Sequence, residues 1–185
     1  IAFISITFLV LYIFFSVISS MNISFEFGGE CAKKLNSEDG IILHELLLSN
    51  FVIFKHLNNK QQKRFKRRVC KFIRMKKFKA AGELKEVSFE MKVMIAATAI
   101  QITYGLPDLY FTHFQMIILY EKEYYSEITG DFHFGEVNAM GAIVLSWENF
   151  LFGYSNQTDG RNLAIHEMAH ALLLSNILDI EEYNF

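Results

Sequence analysis

Apolar and polar positions change rhythm several times along this chain. Residues Ile1 to Ile18 carry no charge and are mostly Ile, Phe, Leu and Val. As a helix they reach roughly 27 Å, about one hydrocarbon core. The pattern predicts a single membrane helix over residues 1–20. A signal peptide ending near Ser19-Ser20 is the main rival, and a buried core helix is a third reading. Lys33 and Lys34 favour a cytoplasmic domain behind that anchor. A linker over 21–37 and a domain over 38–185 follow, the domain expected to be cut short at its C-terminus.

Within the domain the apolar spacing is first helical. Glu38 to Lys55 places Ile41, Ile42, Leu46, Leu47 and Phe51 on an inner side. Lys60 to Lys79 is amphipathic, with Phe65, Val69, Phe72, Ile73 and Met75 forming its apolar stripe. Glu86 to Tyr104 is apolar nearly all round and predicts a buried helix. Ala96, Ala97 and Ala99 are small enough there for close helix approach, and Gly105-Leu106-Pro107-Asp108 stops it. The rhythm then shortens. Phe114 to Tyr120, Asp131 to Val137 and Ala142 to Trp147 read as three strands, with a turn at Asn138 to Gly141. Gly153 to Gly160 is a polar loop, and Asn162 or Asp159 caps a last helix. Leu163, Ile165, Ala169, Leu172 and Leu173 supply the expected apolar side of that helix. Helices are thus followed by a short run of strands and then by the last helix.

The formal net charge is only −2, so no global field argues for nucleic acid as a partner. Eleven of the eighteen Lys and Arg residues nevertheless fall between Lys60 and Lys79. That positive face is either simply solvated, drawn to an anionic bilayer, or, lowest of the three, drawn to nucleic acid. The two cysteines, Cys31 and Cys70, are too few for a disulfide framework and are not spaced for a metal.

The candidate chemistry lies in the last helix. His166-Glu167-Met168-Ala169-His170 reads H-E-x-x-H. Residues four apart share one helix face, so both imidazoles can reach one Zn2+ ion. Glu167 is placed to act as general base on water activated by that metal. The pattern predicts hydrolysis of peptide or protein substrates. A regulatory partner-binding protein on the same fold, or an inactive chain lacking a third zinc ligand, are the alternatives. A longer motif with Gly and His beyond His170 is excluded, because Leu173 and Asn176 occupy those positions. Glu181 would stand roughly 16 Å past His170 on a straight helix, too far to share its metal. His133, Glu136 and Glu148 are upstream candidates, and a Glu on a later helix outside this chain is the expected third ligand. Peptide substrates commonly lie along an exposed strand edge above such a metal. Ala142, Val144 and Ser146 are the expected substrate-binding edge; the rival reading is an ordinary paired strand.

Several ordered segments carry a family resemblance. They are Phe72-Ile73 with Lys76-Lys77-Phe78, Glu90 to Ala97, Ile117 to Tyr120, Gly135-Glu136, Gly141 with Val144 to Trp147, and Asn162 to His170. Over Phe65 to His170 the chain resembles the Mlc titration factor A type of glucose-regulated metallopeptidases. The resemblance implies a bacterial protein with zinc aminopeptidase-like or general peptidase activity and an α+β zincin domain, helices plus a small mixed sheet, distantly similar to the lethal factor protease domain. It implies zinc on His166 and His170, a general base at Glu167, and a third ligand that is a Glu well downstream. The chain departs from the family after His170. There Ala171-Leu172-Leu173-Leu174-Ser175-Asn176 replaces a Lys-Leu-Asp-like stretch and an Asp-Gly-rich loop.

Overall fold

The computed structural model describes residues 38–106, 111–126, 130–138, 140–155 and 162–183, with side chains as far as Ser175. The chain divides into two compact units, 1–41 and 42–185. The architecture below is that of the second.

The first predicted helix is two. α1 spans Glu38–Asn50 and α2 spans Val52–His56, separated by Phe51 in an extended conformation (φ −118°, ψ 102°). The break turns Phe51 and Phe54 into the core beside Leu43 and Leu47, while Ile41, expected on the inner side, is 62% exposed.

α3 spans Asn59–Met75, shorter than the predicted basic helix. Asn58 and Gln61 start it with reciprocal side-chain-to-backbone bonds of 2.9 and 3.0 Å, a capping box. Phe65, Val69 and Phe72 are buried as expected, whereas Met75 lies at the exposed edge. The expected helix ends early because Lys76 is extended (φ −105°, ψ 144°) and Lys77–Ala81 forms strand β1. Nor is every cation solvated. Arg68 is buried, and its guanidinium donates to Tyr104 O at 3.1 Å and Thr103 Oγ1 at 3.4 Å. A positive group there satisfies carbonyl oxygen at the end of the next helix.

That helix, α4 (Phe89–Thr103), is the core helix. Ser88 caps it, and every residue from Val93 to Ile100 is buried. Its small residues let α3 and α6 (Leu163–Tyr183) pack on it. Thr98 and Thr103 return their hydroxyls to Met94 O and Ala99 O, so their burial leaves no donor stranded.

The sheet has four strands in the order β1-β2-β6-β5, with β2 at Met116–Tyr120, β5 at Gly135–Asn138 and β6 at Ala142–Ser146. β1, β2 and β6 run parallel, and β5 returns antiparallel on β6. The predicted strand over Asp131 to Val137 is divided between two sheets. Its first half, β4 (Asp131–His133), pairs with β3 (Tyr124–Ser126) as a separate hairpin. The turn before β6 needs Gly141, whose φ is +93° and whose Cβ would meet His113 O at 2.9 Å. A helix unforeseen in the sequence, α5 (Trp147–Ser155), follows β6 and occupies the start of the predicted loop. The arrangement is α+β, helices with a small mixed sheet.

Among the described residues no helix is long and apolar enough to cross a membrane. The longest, α6, has 21 residues but carries His166, Glu167 and His170 in its first half and Asp179, Glu181 and Glu182 in its second. Ionisable groups so distributed are costly in hydrocarbon. The apolar helix and linker expected over 1–20 and 21–37 lie outside the described residues. On this finding the expectation of a single-pass, membrane-anchored chain with a membrane as partner is corrected, and it has no place in the function proposed below.

Candidate active site

α6 is positioned at its first turn. Asn162 Oδ1 accepts from Ile165 N at 3.0 Å, and Asn162 O accepts the first helical bond from His166 N. Of the two expected caps, Asn162 is seen in the role; Asp159 lies outside the described residues. The Asn162 amide also donates to Gly153 O at 2.9 Å, fastening α6 to α5. Gly153 allows this close approach: a Cβ would come within 3.2 Å of both Asn162 and Leu163, and the neighbours would have to give by a few tenths of an ångström.

The buried side of α6 is rotated from the expected one. Ala164, Met168, Ala171 and Ser175 face inward, at helical spacings of four, three and four. Ala169 and Leu173, expected in the apolar stripe, are exposed. The small alanines allow close approach to α4, which larger leucines would hold off. His166 and His170 consequently stand on the open face, and Glu167 is buried beside them, to only 7% exposure.

The two imidazoles converge. His166 Nε2 and His170 Nε2 are 2.9 Å apart, with ring centroids at 4.3 Å and planes nearly perpendicular. Two zinc–nitrogen bonds of about 2.1 Å at a tetrahedral angle would set these atoms about 3.4 Å apart. The pair therefore fits a shared zinc ion after a small opening. Among the described residues no group of three or more His, Cys, Asp or Glu side chains is arranged to hold a metal. Of the upstream candidates, Glu136 accepts from Ser126 Oγ at 3.0 Å, and Glu148 opens α5 with its backbone N–H on Glu121 O. His133 closes β4. α6 continues as one helix to Tyr183, so the backbone of Glu181 lies roughly 16 Å beyond His170 along the axis.

Glu167 is held from below by strand β5. A Cβ on Gly135 would lie 2.6 Å from Glu167 Cγ and 2.9 Å from its Cδ, so only glycine admits the carboxylate at this place. Burial pushes the Glu167 carboxyl above its ordinary range; His166 and His170 oppose that shift, and Glu136 adds to it. Tyr124 on β3 belongs to the same surroundings. Its ring stacks on Tyr120 at 4.5 Å, and its buried hydroxyl has no hydrogen-bond partner. Burial, then the nearby Glu136 and Glu167, push that phenol far above its usual value of 10, so it keeps its proton.

The substrate edge expected at Ala142, Val144 and Ser146 requires correction. β6 is an interior strand, paired with β2 on one side and β5 on the other, so its main chain has no free edge. Ser146 is fully buried, and its hydroxyl accepts from the Asn149 amide at 2.9 Å within α5. The edge beside α6 is β5. Ser146 N donates to Phe134 O at 2.8 Å, so alternation commits Glu136 and Asn138 to the ladder with β6. The N–H and C=O of Gly135 and Val137 then point outward. Val137 also joins Glu167, His170, Leu173 and Leu174 around a cavity of ≈ 280 Å³. Val137 and Tyr124 were not singled out from the sequence. Gly135 was named only in the Gly-Glu pair at 135–136, from which neither its partner strand nor the position of Glu167 was readable.

No curated protein matches the sequence. Residues 34–176 match the family described as glucose-regulated metallo-peptidase M90, which takes in both imidazoles, Glu167 and the whole sheet. The chain belongs to this metallopeptidase family.

Proposed function

We propose that the chain is a zinc-dependent peptidase of zincin-like architecture, with His166 and His170 as metal ligands and Glu167 as general base. The observation that carries the reading is the 2.9 Å approach of the two Nε2 atoms, with the intervening carboxylate lodged over Gly135. When bound, zinc supplies a Lewis acid to the scissile carbonyl and to water. The remaining third protein ligand is assigned to a Glu downstream of His170, as the family resemblance implies.

The chain's own residues do the rest. An extended peptide lies along β5, exchanging main-chain hydrogen bonds with the outward groups of Gly135 and Val137. This replaces the β6 edge that the sequence suggested. Glu167 takes a proton from the attacking water as oxygen joins the carbonyl carbon. It then gives that proton to the nitrogen as the C–N bond breaks. A carboxyl raised by burial suits both halves, because it holds a proton more readily than an exposed one.

The test is Glu167→Gln at matched zinc content. Equilibrium dialysis should find zinc retained, while peptide turnover falls by about 10²–10⁴. Turnover at the wild-type rate would remove Glu167 from the mechanism.

A further inference from the structure

We propose that the exposed side of α3 is a docking surface for duplex DNA, held by its phosphate backbone without regard to sequence. The proposal stands apart from the peptidase reading and uses no residue of α6.

The fold sorts the cations of this segment. Lys60 to Lys79 carries eleven of the chain's eighteen Lys and Arg residues and no Asp or Glu, so all twenty acidic residues lie elsewhere. Arg68 and Lys76 turn inward onto backbone carbonyls. Lys60, Lys63, Arg64, Arg67 and Lys71 are exposed. At 3.6 residues per turn these five fall within an arc of about 100°, on the side opposite the buried Phe65, Val69 and Phe72. They cover about 17 Å of helix axis. Like charges four residues apart destabilise a helix. Lys60 and Arg64, Lys63 and Arg67, and Arg67 and Lys71 are such pairs, and a polyanion laid along the stripe relieves them.

The character of the face selects the polyanion. A protein partner is gripped by apolar and aromatic anchors at the centre of its interface, and the stripe itself offers none. A bilayer surface takes up a helix by its apolar side, which here is closed into the core. Single strands stack their bases on exposed aromatic rings, whereas Phe65 and Phe72 are fully buried. A duplex needs neither anchor nor ring, because its interfaces are polar and strongly positive on the protein side. Over ~17 Å it presents roughly ten phosphates. The major groove of B-form DNA, ~12 Å wide, admits a helix, while that of an RNA duplex is too narrow. Arg64 and Arg67 supply planar donors that can grip phosphate with paired hydrogen bonds. Gln61 is engaged in the cap with Asn58, and Gln62 donates to Phe54 O, so the amides that could read base edges are occupied.

The experiment is fluorescence anisotropy of the full chain with two labelled DNA duplexes of about 20 base pairs and unrelated sequence, between about 50 and 200 mM salt. About five phosphate contacts predict that log K falls against log salt with a slope of about −4.5, a loss of about 500-fold over that range. Both sequences should give the same values. Arg64→Gln and Arg67→Gln, on exposed positions, should each lower the steepness of the slope by about one. Lys122→Gln removes the same charge from an exposed site off the helix and should leave the slope unchanged. All three variants should melt with wild type. Absence of binding at about 50 mM salt, or a slope that survives Arg64→Gln combined with Arg67→Gln, overturns the proposal. So does tighter binding of an RNA duplex, a single strand or polyglutamate than of the DNA duplex. Each of these outcomes leaves the peptidase reading standing.

Discussion

Gly135 fixes where the Glu167 carboxylate can stand. A methyl group there would overlap Glu167 Cγ, and the carboxylate would have to move. Gly135→Ala should therefore lower kcat at least tenfold with little change in KM or zinc affinity, since displacement of the acting group by about 1 Å costs that much or more. Glu167→Ala removes the clashing Cγ and Cδ, so the stability cost of Gly135→Ala, read as Tm, should shrink in the Glu167→Ala background. Additive losses in the double-mutant cycle would count against the steric account. Lys76 offers a separate check. Its ammonium donates to Phe111 O at 2.6 Å, and burial pushes it down from the usual 10.5 to about 8. Between those values the unfolded chain holds the extra proton, so stability rises with pH there; below about 8 the unfavourable burial of charge is fully present. Urea unfolding at pH 7 and pH 9.5 should show wild type gaining on Lys76→Met at the higher pH. A difference independent of pH would contradict this. The approach of the two histidines was legible in the sequence because residues four apart share one helix face. The close contact of Gly135 with Glu167 was not, because a glycine's partner is set by a distant segment.

Helical period carried much of the information about elements. It located α4 and the buried stripe of α3 at Phe65, Val69 and Phe72, and the cap at Asn162. It failed where the tertiary structure overrode it. Phe51 breaks one predicted helix to place two rings in the core, and Lys76–Lys79 leave another because β1 is needed beside β2. The α6 stripe was misread because Ala164 and Ala171 are weak hydrophobic signals beside Leu172 and Leu173, though they pack best. Period two likewise found β6 but could not say which strands flank it, so an interior strand passed for an edge. The cap itself is testable. Asn162→Ala deletes bonds to Ile165 N and Gly153 O and should cost about 1–2 kcal/mol, lowering Tm by several degrees. An unchanged Tm would show that α6 is placed by packing alone.

The second unit joins a helical layer, α3, α4 and α6, to a four-stranded sheet through contact of α6 with β5 and β6. His166, Glu167 and His170 lie on that seam, where one helix meets a strand whose outer edge is unpaired among the described residues. Long-range pairing of this kind leaves no local trace, which is why the α+β class could be read in advance and the strand order could not. Zinc bound at the seam should also report on global stability, because a ligand that binds only the folded state raises it by about 1.4 kcal/mol per tenfold excess over Kd. The most direct measurement is X-ray absorption at the zinc edge, on wild type and on His166→Ala with His170→Ala. The account predicts one zinc per chain in wild type, with two imidazole nitrogens at about 2.0–2.1 Å, and loss of that signal in the double variant. Zinc retained by the double variant, or bound in wild type without imidazole scattering, would contradict it.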